Sequence, residues 1–292
     1  MYYVVYGLLW LVSLLPLRAL YLISDGIYFL LYHIFKYRKA VVMQNLQAAF
    51  PEKSEKERLV IAKKFYRNLA DSFVETLKMI SASDKFILKR FSANWNTLHA
   101  LNKTERPAQL HLGHNFNWEW FNIAMARNIG FNFLVVYMPV RNKVFDRLLY
   151  RLRSRSGSKL LKATTMTEDF LPYRNTKYLL ALAADQNPGH PANAWWFHFL
   201  GRPAPFVKGP AKNAVRNNTS VVFAFIRKPK RGYYEAELSL VADHSQTFSQ
   251  EELTRRFVRF MEKVIRQNPE MWLWSHRRWK WQWKEEYGAV LD

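Results

Sequence analysis

One histidine stands where its imidazole could move a proton. His114 falls in the run His111-Leu112-Gly113-His114-Asn115-Phe116-Asn117-Trp118-Glu119-Trp120. The apolar stretch Pro107 to Leu112 reads as a buried strand and Gly113 as a tight turn. Asn115 or Asn117 then caps a helix whose apolar face continues through Phe121, Ile123, Ala124 and Met125. This places His114 at a strand-to-helix corner, with Glu119 in the first helical turn and within reach of the ring. A carboxylate on one ring nitrogen fixes the tautomer and stabilises the imidazolium, leaving the other nitrogen to take a proton from a hydroxyl. The chain has no cysteine, so no thiolate intermediate is available and direct attack by a substrate hydroxyl is the simpler chemistry. The spacing also admits a structural histidine at a strand end, or a metal site from His111, His114 and Glu119. No second His/Cys/Asp cluster completes a tetrahedral set for the latter.

A corner of this kind needs a sheet behind it. Phe133 to Met138 reads as a second core strand, ended by Pro139 and Arg141. Phe145 to Leu152 is helical, a short strand lies near Lys159 to Leu161, and 165–176 reads as a helix. Tyr178 to Ala184 is a third strand that ends on Asp185, at the carboxyl end where open α/β sheets place functional groups. Capping the turn Asn187-Pro188-Gly189 is the competing role for Asp185. Lys208 and Gly209 precede a helix over Ala211 to Arg216, where free backbone N–H groups and a cation suit an anion or oxyanion. Val221 to Ile226 and Tyr233 to Val241 form a hairpin.

Upstream, residues 40–106 are mainly helical, with a Ser54/Glu57 capping box and 83–104 as short helix and loop. Downstream, Ser249 and Glu252 form a second box, opening a helix with Leu253, Phe257, Met261, Val264 and Ile265 on one face. Trp272 and Trp274 read as core. Trp279, Trp281 and Trp283, interleaved with Arg277, Arg278, Lys280 and Lys284, suit a lipid interface. His276 is a second, weaker catalytic candidate.

The formal net charge is +21, with 44 Lys and Arg against 23 Asp and Glu, so the partners are polyanions. No zinc finger, RRM-type signature or recognition helix points to nucleic acid. The absence of cysteine fits a reducing compartment. Residues 1–17 carry no charge, a second apolar run spans Gly26 to Phe35, and Lys36, Arg38 and Lys39 follow. Without a charged start or a small-residue cleavage site this is not a signal peptide. It reads as a membrane anchor, either one tilted spanning helix or a Pro16-broken pair that dips into the bilayer, with a cytoplasmic exit, and a buried core helix pair is the alternative. On the anchor reading, residues 1–35 are the anchor and 36–292 the catalytic domain.

His114-x4-Glu119 within GHNFNWEW resembles the H-x4-D/E signature of acyltransferases that acylate lipid hydroxyls. It more closely resembles the bacterial lipid A secondary (lauroyl/myristoyl) acyltransferases, in which the His is followed by Asn-Trp-Glu. Three further blocks agree in order and spacing: DQNPG from Asp185, FLGRPAPFVKGPA from Phe199 and PEMWLWSHRRWK from Pro269. The resemblance implies an α/β fold with a mixed sheet flanked by helices, behind an N-terminal anchor helix or helix pair. It implies His114 and Glu119 as the catalytic pair, with Arg153, or Arg155 as a close second because the spacing slips by one, suited to gripping a phosphate. It also gives Asp185 a place in the site, beside Lys208 and Gly209. The implied reaction moves an acyl chain from acyl-carrier protein, or acyl-CoA, to a hydroxyl of a phosphorylated lipid A precursor. It needs no metal or cofactor and occurs on the cytoplasmic side of the bacterial inner membrane. Another lipid acceptor (a lysophospholipid, glycolipid or aminolipid) and an inactive anionic-lipid-binding protein are the alternatives.

Overall fold

The strand that leads into His114 is the middle of the main sheet. In the computed structural model, which describes residues 1–292, β2 (Ala108–Leu112) is buried at every position. It lies between β5 (Tyr178–Ala183) and β8 (Ser220–Lys230), parallel to both. Strands covered on both faces carry continuous apolar runs rather than alternating ones, which is how 107–112 and 178–184 read. The seven strands run β1 (Phe91–Ala93), β9 (Tyr233–Ala242), β8, β2, β5, β3 (Asn132–Tyr137) and β4 (Lys159–Lys162), the last two extending the parallel side. The one antiparallel pairing is the β8–β9 hairpin. Because β2 and β5 are parallel neighbours, the residues that follow them, His114 and Asp185, emerge side by side at the same sheet edge.

The helices cover this sheet around a main core, with a small separate cluster of Leu134, Leu161, Tyr178 and Leu180 on the parallel side. α4 (Glu55–Lys78) begins at the anticipated capping box, in which Ser54 accepts from the Glu57 N–H and the Glu57 carboxylate accepts from the Ser54 N–H. The box expected at Ser249 is half made. Ser249 accepts from the Glu252 N–H, but the Glu252 carboxylate is taken by Arg255 and Arg256 of α11 (Gln250–Gln267). Region 83–104 holds α5 (Asp84–Leu88) and α6 (Asn96–Asn102), but also β1 (Phe91–Ala93), paired to β9. Three residues carry too little periodicity to announce a strand, and pairing decides. The expected helix over 165–176 shortens to α9 (Met166–Phe170) and a 3-10 turn at Leu171–Tyr173, since Pro172 cannot continue an α-helix. α7 (Trp118–Asn128), α8 (Lys143–Ser154) and α10 (Gly209–Asn217) fall close to expectation.

A second, three-stranded sheet was not anticipated. β6 (Ala194–Phe199) and β7 (Arg202–Val207) form a hairpin, joined by β10 (Val290–Leu291). The turn residues Leu200 and Gly201 both have left-handed backbone, φ 52° and 81°, as two-residue hairpins of the primed type require.

At the N-terminus, α1 (Tyr2–Ser13) and α2 (Leu17–Phe29), which continues as a π-turn to Ile34, are bent by 112° about the break before Pro16. No single helix is long and apolar enough to cross a membrane, so the Pro-broken pair, not one tilted span, is the observed form. α2 is docked on α4. Ser24 donates to Asp71 and Tyr21 to Glu75, at 2.6 and 2.7 Å. α3 (Lys39–Ala49) follows.

Candidate active site

Asp185, not Glu119, is the carboxylate on the His114 ring. The ring Nδ1 lies 2.6 Å from Asp185 Oδ1, and the His114 backbone N–H donates to Oδ2 at 2.8 Å. The Trp272 indole Nε1–H donates to the same Oδ2 at 2.7 Å. Asp185 is fully buried, while the His114 side chain keeps 27 % of its surface exposed. Burial alone would raise the Asp185 pKa. The charge of His114 and the hydrogen bonds from His114 and Trp272 outweigh it and hold the carboxyl at about 2. For His114, burial pulls the pKa down, but the Asp185 charge and hydrogen bond win and raise it above the usual 6.5.

Gly113 suits this close approach: a Cβ there would press on the flexible Met261 methyl and come within 3.1 Å of Asp185 Oδ2. Asn117, one of the two expected caps, accepts from the Trp120 N–H and starts α7. Its amide also donates to Glu75 at 2.8 Å, tying the corner to α4. The segment behind the corner is fixed by a backbone bridge between Asn115 and Trp272.

Glu119 is turned to a different partner. From the second position of α7 its carboxylate receives Arg153 Nε at 2.9 Å and a terminal Arg153 nitrogen at 2.5 Å, a bidentate pair, and Trp118 Nε1 at 3.0 Å. The spacing argument failed because Nδ1 accommodates one carboxylate, and the neighbouring parallel strand delivers Asp185 to it first. His114, Trp118, Glu119 and Arg153 nevertheless line one cavity of about 280 Å³. Trp118, Glu119 and Arg153 also line an apolar groove of about 560 Å³ whose walls include Leu9, Ile27, Phe73, Leu77 and Phe145, from α1, α2, α4 and α8. Those three residues are walls common to site and groove, which therefore lie side by side.

The remaining sequence candidates lie apart from this cavity. Arg155 is paired with Asp84 at 3.1 Å and donates to the Met79 carbonyl, which fixes α8 to the α4–α5 turn. Lys208 sits 4.2 Å above the Trp195 ring and Gly209 is the first residue of α10; neither lines the cavity. His111 is a core histidine between Phe223 and Phe257, its Nε2 beside the Gln109 side chain, and burial lowers its pKa to about 3. Burial likewise pulls His276 to about 4, leaving a neutral ring beside the Asn187 N–H.

Two residues read from sequence only as core or as interface cations serve the site. Trp272 completes the Asp185 cage. Arg278, fully buried, has its pKa pulled down to about 9 by burial. It donates to Asn187 Oδ1 and to the Pro205 carbonyl, each at 2.9 Å, and lies 4.3 Å from the Phe206 ring centre. It thereby holds the loop that carries Asp185. The PEMWLWSHRRWK block marked their neighbourhood, but only tertiary contacts assign the individual residues.

The model of the family described as bacterial lipid A biosynthesis acyltransferase matches residues 1–281. The chain is similar to a lipid A biosynthesis acyltransferase of Haemophilus influenzae, 25 % identical, covering 98 % of this chain and 94 % of that protein. It is also similar to a lipid A biosynthesis lauroyltransferase of Escherichia coli, 25 % identical over 94 % of this chain and 89 % of that protein.

Proposed function

The chain belongs to the bacterial lipid A biosynthesis acyltransferase family, and from that premise we propose that it transfers a fatty acyl chain from an acyl-carrier-protein thioester to a hydroxyl of a lipid A precursor, with His114 as general base. The observation that carries this reading is the His114–Asp185 pair at a cavity that shares three wall residues with an apolar groove.

Asp185 on Nδ1 leaves Nε2 of His114 to take the proton of the acceptor hydroxyl. The hydroxyl oxygen then forms a bond to the thioester carbonyl carbon, the C–S bond breaks, and the imidazolium returns its proton to the departing thiolate. Asp185 stabilises the imidazolium in between. Arg153, held on Glu119, presents a guanidinium to the same cavity and supports the negative charge that develops on the carbonyl oxygen. Glu119 therefore acts as the anchor of Arg153 rather than as the partner of the base. Salt bridging also keeps that buried arginine from standing unpaired. The apolar groove takes the acyl chain.

The membrane reading follows from the same surface. Val4, Leu8, Leu11, Leu14, Leu22, Phe29, Ile34 and Phe35 are exposed on the bent pair, and Arg18, Lys36, Arg38 and Lys39 flank them. Such a pair lies in the bilayer interface instead of crossing it, with the cations on anionic headgroups at the cytoplasmic face of the inner membrane. Because α1 and α2 also wall the groove, an acyl chain held there lies against the membrane-facing helices.

The test is acyl transfer by the purified full chain in detergent, with acyl-carrier-protein thioester and a phosphorylated lipid A precursor, followed by mass spectrometry. A gain of one acyl chain with wild type, lost in His114→Ala at unchanged melting temperature, is the expected result. Undiminished turnover by His114→Ala overturns the base assignment, and transfer only to another lipid class moves the acceptor.

A further inference from the structure

Two motifs that the active site leaves partly unexplained, Gly201-Arg202-Pro203 and the Arg277–Lys280 stretch, meet in a second cavity. It measures about 890 Å³ and lies between α3, the β6–β7 turn and the C-terminal segment. Arg202, Arg277 and Lys280 reach it from these two distant parts of the chain. All three are exposed, none has a carboxylate partner, and no Asp or Glu lines the cleft. In a chain this basic, unpaired surface cations are common, so the concavity and the lack of acids are what matter. Two other polar cavities carry their own counter-charges: Asp146, Glu168 and Asp169 in one, Asp25, Asp71 and Glu270 in the second.

The cations are mounted on fixed backbone. Arg202 follows a turn in which Leu200 adopts φ 52°, a conformation unfavourable for a branched side chain. The Leu200 N–H donates to the Glu262 carboxylate, which holds the turn in that shape. On the other wall, the Asn45 amide donates to the carbonyls of Trp274 and His276 at 2.8 and 2.7 Å, and Arg38 donates to that of Ser275 at 3.0 Å. Asn187, two residues beyond Asp185, donates to the Arg277 carbonyl at 2.7 Å, so the cleft and the Asp185 loop share a support. Gln44 and Gln47 of α3 add amide groups to the lining.

Three like charges on one concave wall that includes no carboxylate give it a positive field, which an entering anion neutralises. Two guanidinium forks and an ammonium favour an oxyanion of more than one charge, and Arg pairs with phosphate oxygens bidentately. We propose that this cleft is a phosphoryl-binding site that holds a phosphate of one of the substrates while the reaction occurs at His114. The phosphoryl group has two sources, a phosphate ester on the lipid acceptor or the phosphodiester of the acyl donor's carrier arm. Assigning between them rests on the acyl-transfer reading, whereas binding itself does not.

Calorimetric titration of the full chain in uncharged detergent with inorganic pyrophosphate tests the site. R202Q/R277Q/K280Q is compared with wild type and with K56Q/K63Q/K263Q, which removes the same charge from exposed positions elsewhere. The expected result is saturable binding, weakened at least ~10-fold in the cleft variant and changed less than ~2-fold in the control. Absence of saturable binding to wild type, an equal loss in both triple variants, or binding retained by the cleft variant overturns the proposal. In turnover, a raised KM for the lipid acceptor alone identifies the acceptor phosphate, and a raised KM for the donor alone identifies the carrier arm. Unchanged values for both show that no substrate uses the cleft. A wild type that binds pyrophosphate but transfers no acyl chain defeats the acyl-transfer reading and leaves the anion site standing.

Discussion

The two most deeply buried carboxylates in this molecule, Glu75 and Asp185, each receive hydrogen bonds from three groups, yet they have opposite chemistry. Glu75 of α4 accepts from Tyr21 and Tyr234 hydroxyls and from the Asn117 amide, at 2.7, 2.6 and 2.8 Å. Asp185 accepts from the His114 ring, the His114 N–H and the Trp272 indole. Burial dominates at Glu75 and raises its pKa, while Asp185 is held at about 2. The difference lies in the partners. The donors on Glu75 do not ionise in the neutral range and the nearby Lys228 charge does not offset burial, so Glu75 joins α2, β9 and the α7 cap with its pKa raised. Asp185 faces a histidine that becomes cationic and opens to a cavity. A buried carboxylate marks a reactive site when its partner can exchange a proton with something that enters.

That contrast can be broken most directly at the base. His114→Ala should lower turnover by ~10²–10⁴-fold with the fold intact, measured as acyl transfer beside a melting curve. Asp185→Asn should cost ~10²-fold or more by offering Nδ1 the wrong partner. Glu75→Gln should leave turnover within a small factor, and a comparable collapse there would erase the distinction.

The pH profile sharpens it. Proton abstraction needs neutral His114, whose pKa lies above 6.5, so kcat/KM should rise through one ionisation above that pH. In Asp185→Asn only burial remains, and burial lowers an imidazole pKa, so the residual activity should rise at a pH below 6.5. An unmoved limb would mean that Asp185 does not act on His114.

Smaller effects separate support from chemistry. Trp272→Phe removes one donor to a buried anion, a loss of ~1.5–3 kcal/mol if fully expressed. It should reduce kcat ~10-fold or more with little change in KM; a pure KM effect would place Trp272 in substrate binding. The smallest effect is on stability. Glu75 has a folded pKa above its unfolded value, so its contribution is present below the unfolded pKa and fades as pH rises through the folded one. Glu75→Gln should therefore be more destabilising at pH 5 than at pH 8, read from melting temperatures.

Much of the frame was legible in the residues. The runs 107–112, 133–138 and 178–184 are apolar because both faces of a parallel sheet are covered, and the helix after Asn117 is announced by its cap. His114 and Asp185 could each be placed at a strand end on that basis. What the linear pattern could not carry was their pairing. Spacing along the chain favoured Glu119, five residues away, over Asp185, which is separated by 71 positions. The short strand β1 and the small β6–β7–β10 sheet were also silent, since pairing partners rather than periodicity create them.

The sequence by itself determined the strand-corner histidine, the family signature, the basic charge and the apolar N-terminus, because these are properties of local composition and order. Only the tertiary structure decided that the N-terminal apolar stretch is a bent pair docked on α4, and that Arg153 belongs to Glu119 while Arg155 belongs to Asp84. It alone gave His114 its carboxylate. Hydrogen-bond partners are chosen by distance in space, and the parallel order of β2 and β5 brings His114 and Asp185 to one edge where no counting of residues would join them.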